Sequence, residues 1–244
     1  PESAVTSAYL DDPELREHLS DLAREVGATL IVGGRERAPE DVSVDWLRRH
    51  AMEGSGRGLF YNAAIVIAPD GEMLDTYHKT HPIQFFADGV PGEQYPVFNT
   101  PAGSIGVAIC YDFTYASVVR KLVGNGAKVL VVPTMDSPDW PKLQHIQHAR
   151  IAQARAAEAV CPVIRPATFG ISQIISESGH VRTSIPSGEV GIAVAKYEFT
   201  DRDRRPVIDW PWLQHSCLAL SLVLVALAIG RRLRGRQHNA GGEE

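Results

Sequence analysis

Cys110 is the residue of this chain best suited to nucleophilic chemistry. It ends the apolar run 103–109, and apolar residues recur at helical spacing from Tyr115 to Val123 directly after it. This pattern predicts a turn between a buried strand and a helix N-terminus. At such a turn backbone N–H groups face a developing oxyanion and the helix dipole lowers the thiol pKa. A strand-end cysteine also serves as a small packing residue, so position alone leaves the two interpretations even.

Two charged residues elsewhere in the sequence supply what a thiol nucleophile needs. A neutral thiol requires a base, and a fixed cation stabilises the negative charge of a tetrahedral intermediate. Glu2 follows Pro1 at the start of the sequence, and Lys79 follows the segment 72–78. Each has an ordinary alternative, a disordered terminus for Glu2 and a solvated strand-end charge for Lys79.

Taken in order, the three motifs resemble those of the nitrilase, or carbon–nitrogen hydrolase, superfamily. Its pattern is a strand ending in Pro-Glu, a lysine after an aromatic-rich strand, and a Cys-Tyr-Glu/Asp turn, and the resemblance covers residues 1 to about 199. It implies that Glu2 is the base, that Lys79 stabilises the intermediate and that Cys110 carries an acyl thioester. Two further residues receive supporting or oxyanion-binding roles: Tyr111 and Asp112.

Hydrophobic periodicity and turn signals place these motifs on secondary structure. A β-hairpin around the turn 69–71 delivers Lys79. The alternation of strands and helices predicts an α/β fold, a four-layer α-β-β-α sandwich, which is also the fold of the superfamily that the chain resembles. We expect helices at 15–26 and 143–159 and a short helix near Trp46. Strands are expected at 28–33, 61–68, 72–78, 128–133, 162–166, 171–176 and 190–197.

Composition limits the classes of function. The 244 residues are 44% hydrophobic, enough for one sizeable core, and the net charge of −5 argues against nucleic-acid binding. The sequence contains no phosphate-binding Gly-rich motif, and we expect no cofactor. Three cysteines predict no disulfide framework. His145 and His148 are expected to be solvated helix residues rather than metal ligands, so no metal site is predicted.

The C-terminal segment predicts a membrane anchor. Residues 217–230 carry no charge and are mostly Leu, Val and Ala, with tryptophans before them and arginines after them. With its aromatic flank the stretch is about 20 residues long, enough to cross a bilayer as a helix, although a buried or amphipathic helix is the alternative. We therefore expect a catalytic domain at 1–205, a transmembrane helix at 210–230 and a basic cytoplasmic tail at 231–244.

A membrane-anchored thiol site resembles one branch of the superfamily, the apolipoprotein N-acyltransferases. The stretches 1–4, 155–158, 163–165 and 170–172 support this placement. The branch implies a bacterial inner-membrane protein with its catalytic domain on the periplasmic side and its C-terminus in the cytoplasm. The partners that the branch implies are a phospholipid acyl donor and a lipoprotein whose N-terminal amine accepts the fatty acyl group. Because the strand before Pro-Glu is missing, we expect a fragment with further membrane helices upstream.

Two segments depart from the branch in regions that contact substrate. The segment 81–89 lacks the supporting glutamate of this branch at its usual spacing. Either Asp88 takes the place of that glutamate, or the support is missing. A tryptophan usual near 134–138 is displaced, and Trp140 is its replacement. Aromatic residues in the loop 82–101 either line an apolar mouth or pin the loop to the core. Four residues are therefore candidate substrate contacts: Phe85, Phe86, Asp88 and Trp140.

Two other functions remain open from the sequence. The first is a membrane-tethered amidase or nitrilase that hydrolyses a small amide or nitrile by the same thioester chemistry. The second is a non-catalytic scaffold that keeps the fold, although a scaffold has no need of Glu2, Lys79 and Cys110 together.

Overall fold

The computed structural model describes residues 2, 4, 11–39, 59–83, 88–197 and 211–240, with the side chains of the last range described at 215–229. The chain divides into two compact units, Pro1–Arg204 and Arg205–Glu244. The described residues of the first unit form two main sheets and three α-helices. The predicted short helix near Trp46 lies outside the described residues.

The first sheet is antiparallel and has the strand order β1-β2-β3, formed by Leu30–Arg37, Phe60–Ile67 and Met73–His78. Strands β2 and β3 form the predicted hairpin, with Ala63 opposite His78. Gly71 in its turn has a φ of 84°, a left-handed conformation that glycine adopts without steric cost. The hairpin ends directly before Lys79, as the sequence predicted.

The second sheet has six strands in the order β11-β10-β8-β6-β5-β4. Its central strands β5, β6 and β8 are parallel, and the outer pairs are antiparallel. The strands are β4 (Val97–Thr100), β5 (Gly103–Val107), β6 (Val129–Val131), β8 (Val163–Arg165), β10 (Ser172–Ile175) and β11 (Val181–Ile185). Two short parallel strands, β7 (Thr134–Met135) and β9 (Ala167–Thr168), continue from β6 and β8.

Three helices cover the sheets: α1 (Pro13–Val26), α2 (Ala116–Gly124) and α3 (Lys142–Ala159). Helix α1 begins where the Asp12 side chain accepts a hydrogen bond from the Leu15 N–H, which satisfies one of the free donors of the first turn. It ends at Gly27, whose φ of 61° is typical of a helix C-terminus. The predicted helices at 15–26 and 143–159 are thus confirmed, with slightly earlier starts.

Three buried clusters show the order of the layers. Between α1 and the first sheet lie Leu19, Ala23, Ile65 and Ile67. Between the two sheets lie Ala64, Val66, Tyr77, Ile105, Val107, Val129 and Val131. Between the second sheet and helices α2 and α3 lie Val118, Leu122, Leu130, Ala152, Ala156 and Val163. Alternate residues of β2 point to opposite faces, as the period of a strand requires. The four-layer sandwich predicted from the sequence is therefore present.

The predicted strand at 190–197 is wrong. This segment has no assigned secondary structure and no strand pairing, and Val190, Ile192 and Val194 are 104%, 91% and 80% exposed. The alternating pattern describes a half-buried strand only if a neighbouring strand pairs with it, and sequence periodicity does not supply that neighbour. Tyr197 nevertheless donates a hydrogen bond to Glu177 Oε2 at 2.6 Å.

The second unit contains helix α4, Pro211–Ala240. From Leu218 to Ile229 its large apolar side chains are between 54% and 62% exposed. Among the residues that the structure describes, no helix combines the length and apolar composition needed to cross a bilayer. The predicted transmembrane helix is therefore not confirmed.

Candidate active site

Cys110 lies on the sharp turn that the sequence predicted. Strand β5 ends at Val107, and a 3₁₀ helix begins at Cys110 and ends at Thr114. The φ of Cys110 is 49°, a left-handed conformation that costs a non-glycine residue about 1–2 kcal/mol. The Cys110 N–H donates to the Pro133 carbonyl at 2.9 Å, so this N–H is already bonded. The turn is anchored to the segment after β6, and Cys110 is 2% exposed.

Three buried polar side chains and a partly buried one, from separate segments, form what we call the carboxylate–amine network: Glu2, Asn62 and Lys79, with Asp88. The Lys79 Nζ lies 2.7 Å from Glu2 Oε1 and 2.8 Å from Asp88 Oδ2. The Asn62 Nδ2 donates to Glu2 Oε1 and to Asp88 Oδ1, both at 2.7 Å. Two carboxylates are thus joined by an amine on one side and an amide on the other, which fixes all four side chains.

Strand β7 connects this network to the cysteine. The Met135 N–H donates to Glu2 Oε2 at 2.9 Å, while the Met135 carbonyl lies 3.6 Å from the Cys110 sulfur. The negative charge of Glu2 and a hydrogen bond with it both raise the pKa of the Cys110 thiol, and the charge of Lys79 lowers that pKa. The structure therefore brings together the carboxylate, amine and thiol that the sequence singled out.

The pKa of the Cys110 thiol is raised, whereas the sequence predicted that it would be lowered. Burial raises the pKa of Cys110 well above its usual range, and the negative charge of Glu2 raises it further, while Lys79 and the Met135 backbone lower it. Burial removes water from the thiolate, and this outweighs the helix-end effect that the sequence suggested. Cys110 is thus a neutral thiol at rest, which makes an adjacent base essential.

Lys79 keeps its charge despite its burial. Burial favours the neutral amine, but the charge of Glu2 and the charge and hydrogen bond of Asp88 oppose it, and the pKa of Lys79 is raised above its usual range. Its side chain is 1% exposed. A buried ammonium held between two carboxylates is a fixed positive charge beside the sulfur.

Asp112 joins the cysteine turn to the segment that follows Lys79. Its side chain is fully buried and accepts hydrogen bonds from the Tyr77 hydroxyl at 2.8 Å and the His81 N–H at 2.7 Å. It also accepts from the N–H and hydroxyl of Thr80 and from the N–H of Ile109. With its acceptor sites engaged, Asp112 fixes the distance between the two catalytic segments rather than contacting substrate. Its predicted supporting position is consistent with these contacts.

The remaining predicted site residues have different surroundings. Tyr111 is 40% exposed and packs edge-on against Tyr115, with ring centroids 5.3 Å apart. Trp140 packs edge-on against His145, with centroids 6.3 Å apart. Phe85 and Phe86 lie outside the described residues. Of the four candidate substrate contacts, Asp88 alone is placed in the network at Lys79.

A second charged group lies on the other side of the cysteine turn, and sequence analysis missed it. We call Asp136, His148 and Arg165 the Asp136 cluster. Asp136 Oδ2 lies 3.0 Å from Arg165 Nη2, and Asp136 Oδ1 lies 2.7 Å from His148 Nδ1. Burial alone raises the pKa of Asp136, but the hydrogen bond with His148 and the charge of Arg165 hold it below its usual value.

The expectation of solvated histidines on α3 is wrong. His145 is 5% exposed and makes contacts with Ser187 Oγ at 2.6 Å and the Ser137 carbonyl at 2.9 Å. The His148 side chain is 13% exposed and faces Asp136. Helix α3 packs closely through alanines such as Ala149 and Ala152, which brings both rings against the segment after β7. The alanine-rich composition of the helix was the feature of the sequence that could have predicted this close packing and the burial of both histidines.

Asn62 was also missed, for a different reason. It lies on β2 between apolar residues, and one amide in a strand carries no sequence signal for catalysis. Both of its described hydrogen bonds donate to carboxylates, which fixes the orientation of the amide. Among the described residues its Oδ1 has no hydrogen-bond partner.

Comparison with known proteins agrees with the site. Residues 1–202 match the family model for carbon–nitrogen hydrolase. The chain is 27% identical to the apolipoprotein N-acyltransferase of Geobacter metallireducens over 95% of its own length and 46% of that protein. It is 34% identical to the deaminated glutathione amidase of Synechocystis over 65% of its own length and 64% of that protein.

A solved structure agrees with the fold. The carbon–nitrogen hydrolase of Helicobacter pylori superposes with a TM-score of 0.61 at 21% identity, over 75% of this chain and 66% of that one. At this identity the superposition supports the fold alone. The chain spans 46% of the N-acyltransferase and 64% of the amidase that it matches.

Proposed function

The chain belongs to the carbon–nitrogen hydrolase family, and on that premise we propose that it is a thiol-dependent N-acyltransferase. Cys110 takes a fatty acyl chain from a phospholipid and passes it to the N-terminal amine of a lipoprotein. The observation that carries the chemistry is the joint placement of a buried thiol, a carboxylate and a charged amine, Cys110, Glu2 and Lys79. The match to an N-acyltransferase over 95% of the chain supports the choice of reaction.

The first half-reaction follows from the protonation states. Glu2 accepts the proton of Cys110 as the sulfur attacks the ester carbonyl, because the raised thiol pKa leaves too little thiolate to react alone. The positive charge of Lys79 stabilises the tetrahedral oxyanion. When the intermediate collapses, the leaving alcohol takes the proton from Glu2 and the acyl group remains on sulfur as a thioester.

The second half-reaction uses the same groups in the opposite direction. Glu2 accepts a proton from the incoming amine, which attacks the thioester carbonyl and expels the sulfur. The thiol is restored when the proton returns to it. Asn62, Lys79 and the Met135 N–H hold the Glu2 carboxylate in place through both steps, so that no reorganisation is needed between them.

The second unit gives this proposal a location. Helix α4 presents apolar side chains from Leu218 to Ile229, and four arginines follow this stretch in the sequence, still within the helix. We assign the protein to a bacterial inner membrane, with the catalytic residues on the periplasmic side and the C-terminus in the cytoplasm. An enzyme that withdraws acyl chains from phospholipid benefits from a site held at the bilayer surface.

The test is intact-protein mass spectrometry after incubation with phospholipid in detergent. We expect a mass gain equal to one acyl chain that hydroxylamine removes, in the unchanged protein and in Cys217→Ala. Cys110→Ala should gain nothing. The Cys217 variant is the matched control, because its thiol is exposed and tests for non-specific acylation. An adduct that persists in Cys110→Ala would contradict the proposal.

A second function is favoured by a separate observation, the 34% identity to a deaminated glutathione amidase. In that case the same thioester is hydrolysed by water, and the substrate is a small amide. The two functions differ in the acyl donor. Ammonia release from small amides, together with no adduct from phospholipid, would replace the acyltransferase with the amidase.

A further inference from the structure

Cys110 has ligand-bearing neighbours that the proposed reaction does not use. One ligand atom each from Cys110, Asp136 and His148 lies within 4.8 Å of the other two. The three come from the turn after β5, the end of β7 and helix α3, so the fold rather than the local sequence brings them together. Cys110 and Asp136 are buried, and His148 is nearly so.

Thiolate, imidazole and carboxylate are the ligands that zinc prefers in proteins. Zinc bonds to these atoms are about 2.0–2.3 Å long, so two ligands of one tetrahedral ion lie about 3.5 Å apart. The three atoms lie within 4.8 Å of one another, so binding requires the side chains to adjust to the distance between two such ligands. We infer that Cys110, Asp136 and His148 form a binding site for a thiophilic divalent cation such as Zn²⁺, which blocks the nucleophile.

The charges around the sulfur suit a divalent ion. Three carboxylates, Glu2, Asp88 and Asp136, face two cations, Lys79 and Arg165. This leaves one net negative charge, and a metal-bound Cys110 thiolate adds a second. Arg165 contacts Asp136 through Oδ2, while Oδ1 lies toward His148. Arg165 Nη2 also lies 3.1 Å from His148 Nδ1. A bound ion therefore replaces the contact between Asp136 and His148, and the guanidinium lowers the affinity for that ion.

Binding is an exchange of a proton for a metal, without a redox step. The S–H bond of Cys110 breaks, its proton passes to buffer, and a Zn–S bond forms. A ring nitrogen of His148 and a carboxylate oxygen of Asp136 supply two lone pairs, and water completes the coordination. Because the sulfur lone pair is then engaged, the thiol no longer attacks an acyl carbonyl. The binding itself does not depend on which acyl group the protein transfers.

The experiment measures Co²⁺ and Zn²⁺ binding to the full chain in detergent, in a Cys217→Ser background that removes the exposed thiol. Cobalt reports a thiolate ligand through a charge-transfer band in the near ultraviolet, and zinc displaces it. We expect one ion per chain, loss of the band in Cys110→Ser, and binding at least about tenfold weaker in His148→Gln. The matched control is His145→Gln, which changes the other buried histidine of α3 and should bind as the parent does.

X-ray absorption of the zinc-loaded parent protein tests the site without a variant, in case His148→Gln does not fold. One sulfur and one imidazole ligand are expected. A zinc ion with sulfur but no imidazole, equal binding by His148→Gln and its parent, or no thiolate band would each overturn the inference. These readouts do not use activity, so they stand whether or not phospholipid acylates Cys110.

Discussion

The two charged groups beside Cys110 differ in how they are connected. In the carboxylate–amine network, Lys79 and Asn62 each contact both carboxylates, so the four side chains form a closed ring. In the Asp136 cluster the single carboxylate contacts His148 and Arg165, and Arg165 Nη2 also lies 3.1 Å from His148 Nδ1. The first group holds one carboxylate, Glu2, beside the thiol through three donors. The second places a carboxylate oxygen and an imidazole near the sulfur.

Charge balance separates the two groups as well. The network has two carboxylates for one ammonium, and Glu2 acts directly on the thiol pKa. The Asp136 cluster has one carboxylate for one guanidinium, with His148 beside it. The excess negative charge lies on the side where a base is needed. If this difference is functional, equivalent substitutions on the two sides should have unequal consequences.

The largest expected effect comes from removing the base. Glu2→Gln keeps the shape of the side chain but cannot accept a proton, so both half-reactions should slow by about 10²- to 10⁴-fold in kcat/KM. The measurement is the rate of thioester formation by quenched-flow mass spectrometry. Glu36→Gln is the matched control, because Glu36 is hydrogen-bonded to Thr76 and His78 on the first sheet, outside the network.

Removing the cation on each side tests the difference in charge balance. Lys79→Met leaves two buried carboxylates facing each other, and the free energy of unfolding should fall by about 3–5 kcal/mol. Arg165→Met leaves one carboxylate, Asp136, which keeps its contact with His148. The free energy of unfolding of this variant should therefore fall by an amount at or below the lower end of that range. Chemical denaturation of both variants gives the comparison. Equal losses would show that the two groups are energetically equivalent.

Asn62→Ala opens the ring without removing a charge. Glu2 loses one hydrogen bond but keeps those from Lys79 and Met135, so we expect a loss of about 1–3 kcal/mol in stability. We also expect kcat to fall while KM is retained, since the base is displaced but the substrate contacts are not. Asn99→Ala on the edge strand β4 is the matched control and should leave both constants unchanged. A normal kcat for Asn62→Ala would mean that the ring is not needed to hold Glu2.

The smallest expected effect concerns the ion pair between Glu36 and His78, which lies outside both groups and serves as a reference for them. The hydrogen bond with His78 lowers the pKa of Glu36 below its usual value of 4.5, burial opposes this, and Thr76 adds to it. A carboxyl group with a lowered pKa stabilises the fold above its unfolded pKa and loses that contribution as the pH falls through its folded pKa. The stability difference between the parent protein and Glu36→Gln should therefore shrink below about pH 4.5. A difference that grows with acidification would contradict the assignment.

Local sequence was sufficient for the elements that carry the three principal residues. The apolar run before Cys110 and the helical spacing after it predicted the turn on which the cysteine lies. The Pro-Asp-Gly turn signal predicted the hairpin that ends before Lys79. The four layers followed from the alternation of strands and helices. These features depend on contacts between residues close in the sequence, which periodicity and turn residues report directly.

Tertiary structure decided what surrounds the sulfur. Asp88 contacts Lys79, and Asn62 joins both carboxylates, across separations that no local pattern encodes. The direction of the Cys110 pKa shift changed from the expected one because burial and the charge of Glu2 are sums over the whole environment.

The same reason explains the two errors on helices and strands. The segment 190–197 alternates like a strand but has no pairing, since a strand exists only together with its neighbour. His148 reads as a surface residue of α3 until the helix packs against the segment after β7. The sequence by itself therefore indicated the candidate nucleophile, its candidate base and cation, and the layers that carry them. Only the packing of distant segments determined their protonation, their hydrogen bonds and the second group of ligands beside Cys110.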